Sequence, residues 1–128
     1  MESIHLTEAE WSVMECLWEK SPRTGREVTQ YLEKTAGWSR STTLTLLSRL
    51  EAKGAVCADS DGGKKAFRAV LRREDAALQE TEGLLSRVYH GSVSMMVSAL
   101  TKKQTLPREE IDKLYAMLKE LEGGGPDD

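Results

Sequence analysis

Apolar and polar residues follow two different periods along this chain, and the change between them divides it. From Thr7 to Gly54 the spacing is helical. Trp11, Met14, Leu17 and Trp18 mark one face of a helix opened by a capping box, with Thr7 at the N-cap and Glu10 three residues on. Ser21-Pro22-Arg23 ends it after about Lys20. A second capping box, Thr24 with Glu27, opens a helix through Val28, Tyr31 and Leu32 to about Lys34. After the turn Thr35-Ala36-Gly37-Trp38, Ser39 caps a third helix. Its buried face is Thr43, Leu46, Leu47 and Leu50, and Gly54 stops it in the left-handed conformation. Lys53 sits in the last turn, where a cation complements the helix dipole.

Beyond Gly54 the period becomes two. Ala55-Val56-Cys57-Ala58 predicts a strand, Asp59 to Lys64 a hairpin turn built on Gly62-Gly63, and Lys65 to Val70 the return strand. Helices two and three, joined by a short Gly-containing turn, form a helix-turn-helix, and the hairpin makes it a winged helix over residues 1–71. The fold class expected is mainly α.

From Glu74 the helical period returns, with Ala77, Leu78, Leu84, Leu85, Val88 and Tyr89 apolar as far as about His90. Gly91-Ser92 interrupts it. Val93 to about Leu100, including Met96, is nearly all apolar, and Thr101 to Thr105 is a polar connector. Pro107 suits the first position of a last helix striped by Ile111, Leu114, Tyr115, Leu118 and Leu121, and residues 123–128 read as a disordered tail. Residues 72–122 thus give three helices with too little chain to close a core of their own. A second copy is the simplest cover, through Leu84, Leu85, Val88, Met96, Leu100, Ile111, Leu114, Tyr115 and Leu118, and the result is a homodimer. Packing back onto the N-terminal domain is the alternative.

The third helix has an unusual outward face. It carries Ser41, Thr45 and Ser48, flanked by Thr42, Leu44 and Arg49, with Arg40 at its start, where a solvated face would carry Glu, Lys and Gln. Small hydroxyls let a helix sit deep in a DNA major groove, and Leu44 has the shape to meet thymine methyls. The net charge of −3 argues against a general polyanion binder, but residues 40–68 hold six bases against three acids. Lys64, Lys65 and Arg68 put part of that charge on the wing, where phosphate contact is expected. A winged helix used for protein contacts is the rival reading.

Other classes find little support. No apolar run suits a membrane span and no signal peptide opens the chain, so a cytoplasmic protein is expected. Cys16 and Cys57 read as small buried hydrophobes. His5 and His90 are far apart, no C-x-x-C or H-x-x-x-H pair seeds a metal site, and no metal or cofactor is expected. No nucleophile–base pair or phosphate loop supports an enzyme.

The run Leu6-Thr7-Glu8-Ala9-Glu10-Trp11 with Val13-Met14 and Leu17-Trp18, then Trp38, Thr42 to Leu50 and Lys53-Gly54, then Ala66-Phe67-Arg68, resembles the penicillinase-repressor (BlaI/MecI/CopY) family over about residues 6–121. The resemblance implies a bacterial dimeric repressor on a palindromic operator, upstream of antibiotic-resistance or copper-homeostasis genes. In the penicillinase branch it also implies release by a membrane sensor-protease system that cuts the dimerisation region, at a bond corresponding to Ala99–Leu100. The copper branch carries C-terminal cysteine pairs, and this chain has no cysteine after Cys57. Induction by a metal or small molecule is the alternative within the family. Leu44 stands where relatives often carry a base and Arg40 where an aromatic is common, departures that bear on operator preference.

Overall fold

The computed structural model describes residues 4–103 and 105–123. Helices α1 (Glu8–Glu19), α2 (Gly25–Ala36) and α3 (Arg40–Lys53) form where the caps direct. Both capping boxes close. The Thr7 amide donates to Glu10 Oε1 at 2.8 Å and the Glu10 amide to Thr7 Oγ1 at 3.1 Å, and Thr24 and Glu27 repeat the exchange at 2.8 and 3.2 Å. Ser39 takes the Thr42 amide at the start of α3, and Gly54 ends the helix at φ 85°, a left-handed conformation that favours glycine.

The hairpin is longer than the sequence suggests. Strands β2 (Val56–Asp61) and β3 (Lys64–Ala69) pair antiparallel from Val56 opposite Ala69 to Asp61 opposite Lys64. Only Gly62 and Gly63 remain in the turn, at φ 61° and 84°. Two successive positive φ values belong to the two-residue turn whose twist matches paired strands, so pairing runs to its edge. The wing also gains a third strand. β1 (Arg23–Thr24) pairs with β3, Arg23 opposite Phe67 and Thr24 opposite Ala66, and the sheet order is β1-β3-β2. Two residues are too few to show a period, so this strand is set by a partner far along the chain.

The core lies where the three helices meet the sheet. Val13, Met14, Leu17, Val28, Leu32, Leu47 and Leu50 are buried, with Val56, Phe67 and Leu71 closing them from the sheet side. Trp11 and Trp18, expected in the buried stripe of α1, are half-buried and pack edge to face at 5.2 Å. Val13 and Cys16 fill the stripe instead.

Two compact units divide the chain, one running to Gly83 and the other starting at Leu84. The first therefore extends past residue 71. It includes the opening turns of α4 (Arg73–Tyr89), whose Ala76 is buried in the core.

In the second unit, α4 ends at His90 and Gly91, both at positive φ, and the Gly91 amide donates back to Leu85 O at 2.9 Å. Helix α5 (Val93–Lys103) starts from a Ser92 cap and runs past Leu100 to Lys103. Helix α6 (Arg108–Gly123) begins one residue later than expected. Pro107 lies at the cap, where its carbonyl takes the Glu110 and Ile111 amides at 3.0 and 3.1 Å. Residues 124–128 of the expected tail lie outside the described residues. Among the described residues from Leu84 onward, none is buried. Leu84, Val88, Leu100, Tyr115 and Leu118 are exposed, while Leu85, Met96, Ile111 and Leu114 are half-buried. No helix among the described residues is long and apolar enough to cross a membrane.

Candidate nucleic-acid interface

The 3.6-residue period divides α3 cleanly. Thr43, Leu46, Leu47 and Leu50 turn inward, and Arg40, Ser41, Thr42, Thr45, Ser48 and Arg49 are exposed. Leu44 departs from its expected place on the outward flank. It is half-buried and packs on the core, and a Cβ added at Gly25 would lie 3.5 Å from Leu44 Cδ2 and 3.7 Å from the Phe67 ring. One position after buried Thr43 and one turn before buried Leu47, it falls at the edge of the apolar stripe and leans into it.

The hydroxyls at the start of α3 are ordered by their own cap. Ser39 Oγ donates to Thr42 Oγ1 at 3.0 Å and lies 3.3 Å from Ser41 Oγ. Beyond them a groove of about 370 Å³ runs beside the helix, lined by Ala9, Trp38, Ser41, Thr42, Thr45 and Arg49. Trp38 and Ala9 form its rim from outside the helix. The apolar spacing of the sequence does not single them out as interface residues. Arg40 and Arg49 take part in no ion pair among the described residues, so both guanidiniums face solvent with their charge available.

The wing cations are arranged differently. Side chains alternate across a strand, so Lys64 and Arg68 share one face of β3 and Lys65 takes the other. Lys65 pairs with Glu51 of α3 at 3.5 Å and lies 5.3 Å from the Phe67 ring centre, and Arg68 reaches Asp59 at 3.8 Å. All three are exposed, yet two already have acidic partners within the molecule. Local charge counts do not reveal this pairing.

At the other end of α3, Lys53 Nζ bonds Glu10 Oε1 at 2.5 Å and His5 O at 2.8 Å. The sequence places Lys53 in the last turn of the helix but does not reveal these two partners. Cys16 is buried, and burial pushes its thiol up to about 11, which keeps it protonated and unreactive at neutral pH. No cluster of three potential ligands for a metal ion occurs among the described residues. Ala99 and Leu100 are exposed on α5.

Known proteins resemble this chain in sequence and fold. The sequence profile of the penicillinase repressor family matches residues 6–120. A penicillinase repressor from Bacillus licheniformis is 32% identical over 90% of this chain and 90% of its own length. The methicillin resistance regulatory protein MecI of Staphylococcus aureus (strain N315) is 25% identical over 88% of this chain and 92% of its own. Among solved structures, the Bacillus licheniformis BlaI monomer in complex with the blaP half-operator superposes with a TM-score of 0.53 at 33% identity. That match spans 59% of this chain and 93% of the other.

Proposed function

The chain belongs to the penicillinase repressor family of transcription regulators, and on that premise we propose that it represses transcription as a homodimer bound to a palindromic operator. The observation that carries the reading is the outward face of α3: hydroxyls, two arginines without acidic partners among the described residues, and no acid before Glu51. Such a face fits a major groove, where arginines bond guanine edges or phosphates and short hydroxyls allow close approach. The likeness to BlaI, solved in complex with a half-operator, supports DNA binding, and in this reading the wing lies on the flanking backbone. Sites follow from this geometry: Arg40, Ser41, Thr42, Thr45, Ser48 and Arg49 on α3, with Leu44 left a contact only through its exposed edge, and Lys64, Lys65 and Arg68 on phosphates.

Dimerisation rests on the second unit. The stretch from Leu84 onward exposes Leu84, Val88, Leu100, Tyr115 and Leu118 and has no buried residue among those described, so it needs a partner surface, and the region from residue 72 to 122 serves that purpose. Two-fold pairing gives two recognition helices for a two-fold operator. The regulated genes are of the β-lactam-resistance type, in keeping with the names of the penicillinase and methicillin-resistance relatives, or form a related stress operon. Release is by a sensor-protease system cutting between Ala99 and Leu100. The cut separates α6, with Ile111, Leu114, Tyr115 and Leu118, from the DNA-binding unit. Each large apolar side chain lost from an interface removes roughly 1.5–3 kcal/mol at most. The two half-site contacts then no longer share one body, and the gain from effective concentration disappears.

The test is substitution on α3. Arg40→Ala and Arg49→Ala should abolish specific DNA binding in gel-shift titrations while sedimentation shows an intact dimer. Retained binding in both would reject the reading.

A further inference from the structure

One carboxylate joins the first turn of α1 to the last turn of α3. Glu10 is 1% exposed, and its Oε1 accepts from the Thr7 amide at 2.8 Å and from Lys53 Nζ at 2.5 Å. The same ammonium donates to His5 O at 2.8 Å. The other contacts on the inner face of α3 have no such direction. Leu46, Leu47 and Leu50 are apolar, and among the described residues the buried Thr43 Oγ1 has no hydrogen-bond partner. Apolar burial favours association but is non-directional, so it sets the angle of a helix less sharply than a directed bond does. A hydrogen-bonded ion pair fixes distance and angle together.

From these contacts we infer that Glu10, acting through Lys53, is a positioning residue for the recognition helix. The claim rests on the proposed reading of α3 as the DNA-contacting element. The lever is long. Between Ser41 and Lys53 the helix rises about 18 Å, so a tilt of about 5° at the anchored end moves Ser41 by about 1.5 Å. A base-edge hydrogen bond does not survive such a shift. Glu10 is buried at the far end of α3 from Ser41 and lines no part of the groove, so removing its charge leaves every proposed DNA contact chemically intact.

The experiment uses the full chain with Glu10→Gln, Lys53→Met, the double variant and Lys53→Arg. Glutamine keeps an oxygen for the Thr7 amide, so the capping box persists and only the ionic link is lost. Two quantities are read. The first is the ratio of affinities for a duplex selected from a random pool and for its scrambled counterpart, with circular dichroism confirming the folded state. The second is the set of backbone amide chemical shifts of free protein along α3. The expected result is a loss of tenfold or more in the affinity ratio for Glu10→Gln and for Lys53→Met. The double variant should be no worse than the weaker single, Lys53→Arg should recover part of the loss, and amide shifts should spread from Lys53 to Ser41. An affinity ratio within twofold of wild type, with shifts confined to the neighbours of Glu10 and Lys53, would overturn the inference even if thermal stability fell. Additive losses in the double variant would overturn it too. If wild type itself does not discriminate between duplexes, the DNA reading of α3 fails, and the amide shifts alone decide the positioning claim. If Glu10→Gln does not fold, Lys53→Met and Lys53→Arg decide it, since Lys53 is partly exposed.

Discussion

Arg73 holds Glu15 with two hydrogen bonds, from Nε at 3.2 Å and from a terminal nitrogen at 3.1 Å. The guanidinium also lies 6.0 Å from the Trp11 ring centre and 5.8 Å from that of Trp18. Trp18 Nε1 donates to Leu71 O at 2.8 Å, and the Trp11 indole donates to Glu15 at 3.0 Å. Residues 71–76 are therefore fastened to α1 by stacking, charge and hydrogen bonds as well as by buried Ala76. The edge of the first compact unit falls inside α4 for that reason.

Trp18→Phe keeps most of the ring and loses the bond to Leu71. It should destabilise the first unit by about 1 kcal/mol in urea unfolding. Arg73→Met should lower the melting temperature as well, without changing the oligomeric state measured by sedimentation. No change in either variant would mean that the start of α4 is held by Ala76 alone.

Acid should loosen the same unit. The hydrogen bond from Arg73 holds the Glu15 carboxyl below its ordinary value of 4.5, against a smaller opposing effect of burial, with the Trp11 bond helping. Burial alone would raise Glu10, but the bonds from Lys53 and the Thr7 amide together with the Lys53 charge outweigh it and leave it lowered. Both groups are lowered in the folded state, so their stabilisation is complete above 4.5 and is lost as pH falls through the folded values. The urea midpoint should hold steady from neutral pH toward 4.5 and drop below it, less steeply in Glu15→Gln. A midpoint that stays level well below that value would contradict these two assignments.

On the wing, the intramolecular pairs should compete with the proposed phosphate contacts. Lys64→Ala should weaken all duplexes alike and reduce the slope of log affinity against log salt by about one. Glu51→Gln releases Lys65 from its partner. An exposed pair is worth at most about 1 kcal/mol, so binding should tighten by about two- to fivefold without a change in sequence preference. An altered preference would place Lys65 on a base edge instead.

Release by cleavage has its own test. A specific protease site placed at residues 99–100 allows the purified protein to be cut at will. The cut protein should sediment as a monomer and lose most of its affinity for the full operator while keeping weak half-site binding. A dimer that survives cutting with full affinity would exclude this route and leave a metal or small-molecule signal to be sought.

Much of the fold is legible in the chain because its signals are local. Thr7 with Glu10, Thr24 with Glu27, Ser39, and Gly54 each mark a boundary through bonds made within a few residues. What depends on partners far along the chain is not legible in the same way. Strand β1 exists because Phe67 and Ala66 lie opposite it. Leu44 leans inward onto the core, beside Gly25 and the Phe67 ring from other elements. The pairing of Lys65 with Glu51 and of Lys53 with Glu10 joins residues from different elements, and no spacing rule connects them. The outward hydroxyls and arginines of α3 were readable from helical periodicity alone, whereas the groove beside Trp38 needed the fold.

The most direct test of a dimeric repressor reading DNA through α3 is selection of bound duplexes from a random pool by this 128-residue chain, followed by sequencing. The account predicts convergence on a palindrome whose half-site centres lie about one helical turn, or a whole multiple of it, apart. It also predicts that Arg49→Ala fails to enrich the same sequence. A single asymmetric site, or no enrichment by the wild-type protein, would contradict it.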